Sequence, residues 1–383
     1  MTLITSTQDL ISFCERASSS SYITVDTEFV RETTYWPQLC LIQVGLAHEA
    51  VAIDPLAPGI DLTSFFALLQ NPDVLKVVHS GRQDVEIFYH LTGEIPKPLF
   101  DTQIAAMVCG FGEAVAYDAL VQRYAKVSID KSSRYTHWAQ RPLTEKQLTY
   151  ALGDVTHLRV IYEKLVKRLQ EEDRTHWVED EVEILTNPAT YAVDPSTLWQ
   201  KIKVRSATPR LLAILRDLAA WRDLMAKQRN VPRARVLRDE ALLDLAASAP
   251  RSLADLERMR GVPPSLAKGK EGTVILGLIE KALALPVDQC PPVKQNHESP
   301  PGTSALIEML RLLLKLQSDK YQVAQKLIAT SADIEEIARS SAPQVPALSG
   351  WRNDIFGKTA MALKQGKVGF GLQDNKITLI PLP

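Results

Sequence analysis

Between residues 22 and 79 the chain carries short β-branched runs set between turn signals: YITVDTEFV at 22–30, LCLIQVGL at 39–46, AVAID at 50–54 and VLKVVH at 74–79. Runs of this length and composition predict strands. Apolar positions at helical spacing predict helices over 62–70, 82–91, 103–109, 115–125 and 144–170. Three early strands with almost no helix between them predict an antiparallel meander. The later alternation of strand and helix predicts a mixed α/β sheet rather than a purely parallel one.

The pattern changes beyond a loop holding Asn187-Pro188 and Asp194-Pro195. From Thr208-Pro209 to residue 285 it predicts four or five helices, the first with Leu211, Leu212, Leu215, Leu218 and Trp221 on its apolar side. A stretch from Pro286 to Pro301-Gly302, rich in Pro, Gln, Asn and Ser, has the chemistry of a linker. Another helical block follows from Ser304. The domains expected are therefore 1–195, 205–285 and 304–383, with a linker at 286–303, and 383 residues suit two or three domains.

Composition excludes several classes. Hydrophobic residues at 45% and charged residues at 23% describe a folded chain, neither disordered nor fibrous. No apolar stretch approaches the ~18–20 residues of a spanning helix, so no membrane association is expected. The first residues, MTLITSTQDL, lack the basic and apolar regions of a signal peptide, and a cytoplasmic location is expected. Cys14, Cys40, Cys109 and Cys290 show no Cys-x-x-Cys pairing, which suits a reducing compartment. Net charge is only −1 but unevenly spread. Residues 1–200 hold 16 Lys and Arg against 27 Asp and Glu, a net −11. Residues 201–285 hold 17 against 9, a net +8, and residues 286–383 hold 11 against 9, a net +2. A basic module joined to an acidic one suggests that the first grips a polyanion which the second approaches with the help of cations.

Two acidic pairs carry candidate chemistry. Asp26 and Glu28 lie two apart on the first long strand, so both carboxylates face one side. Like charges side by side in a sheet are unfavourable unless a cation sits between them. Tyr150 and Asp154 lie four apart on a helix that opens with the capping-box pattern Thr144-x-x-Gln147, which places hydroxyl and carboxylate on one face, roughly 6 Å apart along the axis. Asp84 stands in the first turn of a helix after the strand ending VVH.

In this order and spacing the residues resemble the three exonuclease motifs of the DEDD superfamily, and the tyrosine places them in its DEDDy branch. DTEFVRETTYWPQLCLIQVG, VVHSGRQDVEIF, LFDTQIAA and WAQRPLTEKQLTYALGDVTHL are similar, in order, to the ribonuclease D family over residues 1–190. The chain departs from many superfamily members by carrying His79-Ser80, rather than Asn, in the second motif.

The resemblance implies a ribonuclease-H-like α/β fold and a two-metal 3′→5′ exonuclease that releases 5′-mononucleotides. Asp26, Glu28, Asp84 and Asp154 would share two Mg²⁺ or Mn²⁺ ions, with Asp26 as the bridge, and Tyr150 would orient the attacking water. Arg31, Lys131 and Arg141 are candidates to hold phosphates, Trp36 and His79 to stack on terminal bases. Tyr135, His137 and Trp138 are rim candidates.

Residues 208–285, through Pro232-x-x-x-Val236-Leu237-x-Asp239, resemble the HRDC domain, and 304–383 resembles a second, degenerate copy. Two all-α HRDC-type domains are thus expected after the catalytic one. Lys227, Arg229, Arg233, Arg235, Arg238, Lys268 and Lys270 are the candidate phosphate contacts of the basic unit. The partner expected is RNA with a free 3′ end, such as a tRNA precursor, with no obligate protein partner. The competing functions are a DNA-directed exonuclease of the same superfamily and a non-catalytic RNA-binding protein.

Overall fold

The structure is a computed structural model, and it describes residues 2–293 and 302–383. Part of the expected linker, 294–301, lies outside the described residues. A six-stranded mixed sheet has the order β1-β4-β3-β2-β5-β6. Its strands are β1 Thr2–Ile4, β2 Tyr22–Val30, β3 Gln38–Gly45, β4 Ala50–Ile53, β5 Leu75–Val78 and β6 Leu99–Asp101. Strands β2, β3 and β4 form the antiparallel meander, while β1 pairs parallel to β4, and β5 and β6 continue parallel from β2. At three residues each, β1 and β6 are too short to show a period of their own.

Seven helices accompany this sheet: α1 Thr7–Ala17, α2 Thr63–Gln70, α3 Arg82–Thr92, α4 Thr102–Val108, α5 Tyr117–Tyr124, α6 Glu145–Glu171 and α7 Thr175–Leu185. Helix α6 opens with the capping box, Thr144 and Gln147 each satisfying the other's backbone N–H. It lies against the Asp26 face of the sheet. Thr24 Oγ1 donates to the Val155 carbonyl at 2.9 Å and ties β2 to α6. Gly45 permits that approach, because a Cβ there would sit 2.4 Å from Thr24 Oγ1 and 3.2 Å from the Val155 oxygen.

The basic block holds α8 Pro209–Arg229, α9 Arg233–Val236, α10 Asp239–Ser248, α11 Leu253–Arg258, α12 Pro264–Lys268 and α13 Lys270–Ala284. Its core is its own and includes Leu215, Leu218 and Trp221. Cys290 is buried in that core, so the chain is still packed where linker chemistry begins.

The last block has α14 Thr303–Tyr321, α15 Gln325–Ile328, α16 Ser331–Arg339, α17 Gly350–Arg352 and α18 Lys358–Lys364. It ends in an antiparallel hairpin, β7 Val368–Gln373 with β8 Lys376–Pro381. An all-α tail is therefore corrected. Asp374 and Asn375 take φ of 49° and 60°, the left-handed pair of a tight two-residue hairpin turn, between strands of alternating Val368, Phe370 and Leu372. The apolar interior of this block is continuous with that of the sheet domain, and Trp177 stacks on Trp351 at 4.5 Å. Among the described residues no helix is long and apolar enough to cross a membrane.

Candidate active site

Strand period and helix period converge on one cleft of about 500 Å³. Asp26 and Glu28 rise from β2, and Asp154 descends from α6, with carboxylate oxygens of all three within 4.8 Å of one another. Asp84 enters from the first turn of α3 and is buried beside them. Thr27, facing away from its neighbours Asp26 and Glu28, donates its hydroxyl to Asp84 Oδ1. The turn leading into α3 is held by Asp101, whose carboxylate accepts the N–H groups of Ser80 at 3.0 Å and Gly81 at 2.9 Å.

Directly after Glu28 the β2–β3 register shifts, because Cys40 forms a bulge between Leu39 and Leu41. The bulge is anchored from outside the cleft. Arg141 Nη2 donates to the Cys40 carbonyl at 2.6 Å and, with Nε, clasps Asp54 at 2.7 Å from each nitrogen. This corrects the expectation for Arg141: its guanidinium is spent on Asp54 and three backbone carbonyls and does not line the cleft.

Without a cation between them, the carboxylates resist ionising together. Burial, then the charges of Asp84, Asp154 and Glu28, push Asp26 well above the usual carboxylate range. Burial, then Asp154 and Asp84, raise Glu28 to about 9. Burial brings Asp84 to about 6 and Asp154 to about 7, the latter opposed by a hydrogen bond from Tyr150 and by Arg134. The Tyr150 hydroxyl is raised by burial and by Asp154, so it keeps its proton throughout the neutral range. Oxygen donors that repel one another fit a hard divalent cation, which would reverse the cost of ionising them.

Other expected residues are distributed unevenly. His79 lines the cleft with Nδ1 2.9 Å from Thr102 Oγ1. Lys131 lines it and pairs with Asp118 at 2.6 Å. Tyr135 stands at its rim, 88% exposed, whereas Trp138 is core beneath Tyr150, which corrects its rim assignment.

Arg31, Trp36, Lys227 and Arg233 line a second cleft of about 510 Å³, where the sheet domain meets α8 and α9. There Arg31 pairs with Glu86 at 2.9 Å, and Trp36 stacks on His90 at 3.8 Å. Buried Asp223 takes Arg233 at 2.6 Å, Lys227 at 2.9 Å and the Tyr35 hydroxyl at 2.7 Å. Arg229 lies apart, paired with Glu271 at 2.6 Å, and Arg235 is exposed; neither lines these clefts.

Two cleft residues escaped sequence reading. Arg134, from the short turn after Lys131, is the cation whose charge reaches Glu28 and Asp154. Tyr117 donates to the carbonyl of Asp154 at 2.7 Å and so fixes α6 at its acidic residue. Neither belongs to a periodic pattern that would announce it.

Carboxylates gathered in this way on a strand and a facing helix are the machinery of metal-dependent phosphodiester cleavage. Comparison with known proteins narrows the class. A family profile described as "3'-5' exonuclease" matches residues 1–170, and the HRDC domain profile matches residues 212–279. The chain is 45% identical over 379 residues to the ribonuclease D of Gluconacetobacter diazotrophicus, covering 99% of this chain and 96% of that one. It is 44% identical to that of Nitrobacter hamburgensis over 99% of both chains.

Among solved structures it superposes on Escherichia coli RNase D, described as "an exoribonuclease involved in structured RNA processing". That match has a TM-score of 0.83 and 32% identity, over 95% of this chain and 98% of that one. The catalytic core of RRP6 from Trypanosoma brucei shares the fold at a TM-score of 0.57. The chain belongs to the ribonuclease D family. It is a 3′→5′ exoribonuclease, of an exonuclease family that depends on divalent metal, and carries an HRDC domain.

Proposed function

We propose that the protein trims the 3′ ends of structured RNAs such as tRNA precursors, releasing 5′-mononucleotides. The observation that carries this reading is the meeting of Asp26, Glu28 and Asp154 within 4.8 Å, with Asp84 buried beside them. These four residues would hold two Mg²⁺ or Mn²⁺ ions, Asp26 touching both. Such ions neutralise the scissile phosphate and acidify the attacking water. Tyr150, its proton given to Asp154, orients this water by accepting from it, and its raised pKa makes it no base. Arg134 meets the charge that builds on the phosphate oxygens.

The RNA strand reaches the site along the second cleft, where Arg31, Arg82, Lys201, Lys227 and Arg233 surround Trp36. The two clefts adjoin through the same segments: Glu28 lies on β2 and Arg31 just past its end, and Arg82 and Asp84 both stand in the first turn of α3. Arg229, Arg235, Arg238, Lys268 and Lys270 would meet phosphates farther along the HRDC surface. We assign residues 1–195 to the catalytic domain, 205–285 to the HRDC domain, 286–303 to a linker and 304–383 to a second, degenerate HRDC-like unit extended by a hairpin. The protein would act in the cytoplasm, where its four unpaired buried cysteines stay reduced, and without an obligate protein partner.

Gel analysis of a 3′-extended tRNA with Mg²⁺, Mn²⁺ or EDTA, beside a DNA strand of the same sequence, tests the reading. Stepwise shortening of the RNA that EDTA abolishes is expected. Equal attack on DNA would overturn the substrate assignment, and activity in EDTA would overturn the metal assignment.

A further inference from the structure

Strand β3 is apolar except at one interior position. Gln43 stands between Ile42 and Val44, with 0% exposure. Neither its amide oxygen nor its amide nitrogen has a hydrogen-bond partner among the described residues. Leaving a buried donor or acceptor unpaired is destabilising, so Leu or Met would serve the core better. An orphaned amide in a native core calls for a specific explanation.

Its register supplies one. Gln43 is the direct cross-strand partner of Asp26 on one side and of Ala52 on the other. Directly opposed residues of an antiparallel pair share a face, with Cβ atoms roughly 4.5–5.5 Å apart. The amide therefore lies on the Asp26 face, under α6. The next residues on that face offer little else to bond. Leu41 is apolar, Gly45 has no side chain, and the Thr24 hydroxyl is already given to the Val155 carbonyl. Asp54, two residues along from Ala52 on the same face, is already bonded by Arg141 and the Leu56 N–H, which leaves Asp26 as the polar side chain this register sets directly opposite the amide among the described residues.

We infer that Gln43 is a positioning residue of the metal site, its amide N–H donating to the Asp26 carboxylate oxygen turned away from the cations. Such a bond fixes the rotation of the one carboxylate expected to touch both ions and raises its quality as a ligand. The inference rests on the metal-dependent reading of the cluster.

The test compares the full-length parent, Gln43→Met, Gln43→Leu and Asp26→Asn without RNA. Mn²⁺ affinity is measured by calorimetry, and metal-free stability by denaturant unfolding. Gln43→Met should leave metal-free stability unchanged or higher, because it removes an unpaired buried amide. It should weaken Mn²⁺ binding about 10- to 100-fold, the usual effect of losing such an outer partner. Turnover at limiting Mn²⁺ should fall in parallel and recover as the ion is raised, with KM for RNA unchanged.

Mn²⁺ binding within twofold of the parent would overturn the inference. So would a loss of metal-free stability in both Gln43 variants, which would mark the amide as a core group satisfied by buried water. If Asp26→Asn binds Mn²⁺ like the parent, the metal reading itself falls. If Asp26→Asn loses the ion while Gln43→Met keeps it, only the role of Gln43 falls.

Discussion

Asp26 has three carboxylates for neighbours, and burial compounds their repulsion. Asp26→Asn or Asp154→Asn should lower turnover at least about a hundredfold at saturating Mg²⁺, since charge neutralisation and water activation both depend on the cluster. The metal-free variants should be as stable as the parent or more so, because each loses one member of a repelling set. Near-parental turnover in either would exclude the assigned roles. Arg141 gives the opposite signature. It clasps Asp54, which is 4% exposed, and the Cys40 bulge beside Glu28. Arg141→Ala should cost roughly 3 kcal/mol in urea unfolding, the low end for breaking a buried pair because the arginine keeps some exposure. A variant of parental stability with a raised KM would restore Arg141 as a phosphate contact. The spacing of Asp26 with Glu28, and of Tyr150 with Asp154, was legible in the sequence because strand and helix periods dictate which residues share a face. Arg141 was misread for a plain reason: charge says that a side chain can bind an anion but not which anion it meets.

Helix α8 is fastened to the β2–β3 loop by one buried carboxylate. Asp223 binds Lys227 and Arg233 from its own block and the Tyr35 hydroxyl from the sheet domain, while Asn230 Oδ1 accepts the N–H groups of Tyr35 at 3.2 Å and Trp36 at 3.1 Å. Asp223→Ala should cost about 3 kcal/mol, since two cations lose their counter-charge. Hydrogen exchange should quicken at residues 31–37, the segment that follows the catalytic strand. Unchanged protection there would show that the loop is rigid without α8. Helix α6 was legible down to its cap, because Thr144-x-x-Gln147 is a local signal. Strands β1 and β6 were not, since their three residues are held by pairing with distant partners rather than by any pattern of their own.

At the scale of the whole molecule the acidic cluster makes metal-free stability depend on pH. Asp84 at about 6, Asp154 at about 7 and Glu28 at about 9 all lie above the ~4 of unfolded carboxyls. Between these limits the folded state binds protons that the unfolded chain has released, so stability falls as pH rises. The melting temperature of EDTA-treated protein should therefore decline from pH 5 to pH 9. Mg²⁺ should restore more of it at pH 8 than at pH 6, because the ligands must be deprotonated to bind. A melting temperature independent of pH would mean that the carboxylates are solvated.

The last block belongs to the same interior as the sheet. The Ala324 N–H donates to the Met107 carbonyl at 3.0 Å, and Arg352 pairs with Glu181. Deleting residues 302–383 should thus yield aggregates, rather than a monodisperse monomer, in size-exclusion chromatography. A stable, active truncation would show that this shared core is dispensable.

Sequence alone determined the features that depend on near neighbours. These are the meander and the helices after it, the capping box, the shared faces of the acidic pairs and the basic character of the HRDC block. Each follows from periodicity, a local hydrogen bond or a count of charges. Tertiary structure decided the features that depend on residues far apart in the chain. Register set Gln43 opposite Asp26, the fold spent Arg141 on Asp54 and turned Trp138 inward, and Asp223 joined two blocks 188 residues apart at Tyr35. The tail's hairpin and its share of the central core also lay beyond the helical pattern that precedes them. The physical reason is the same in each case. A side chain's chemistry is written in its identity, but its partner is chosen by packing, and packing brings together residues whose separation no local period encodes.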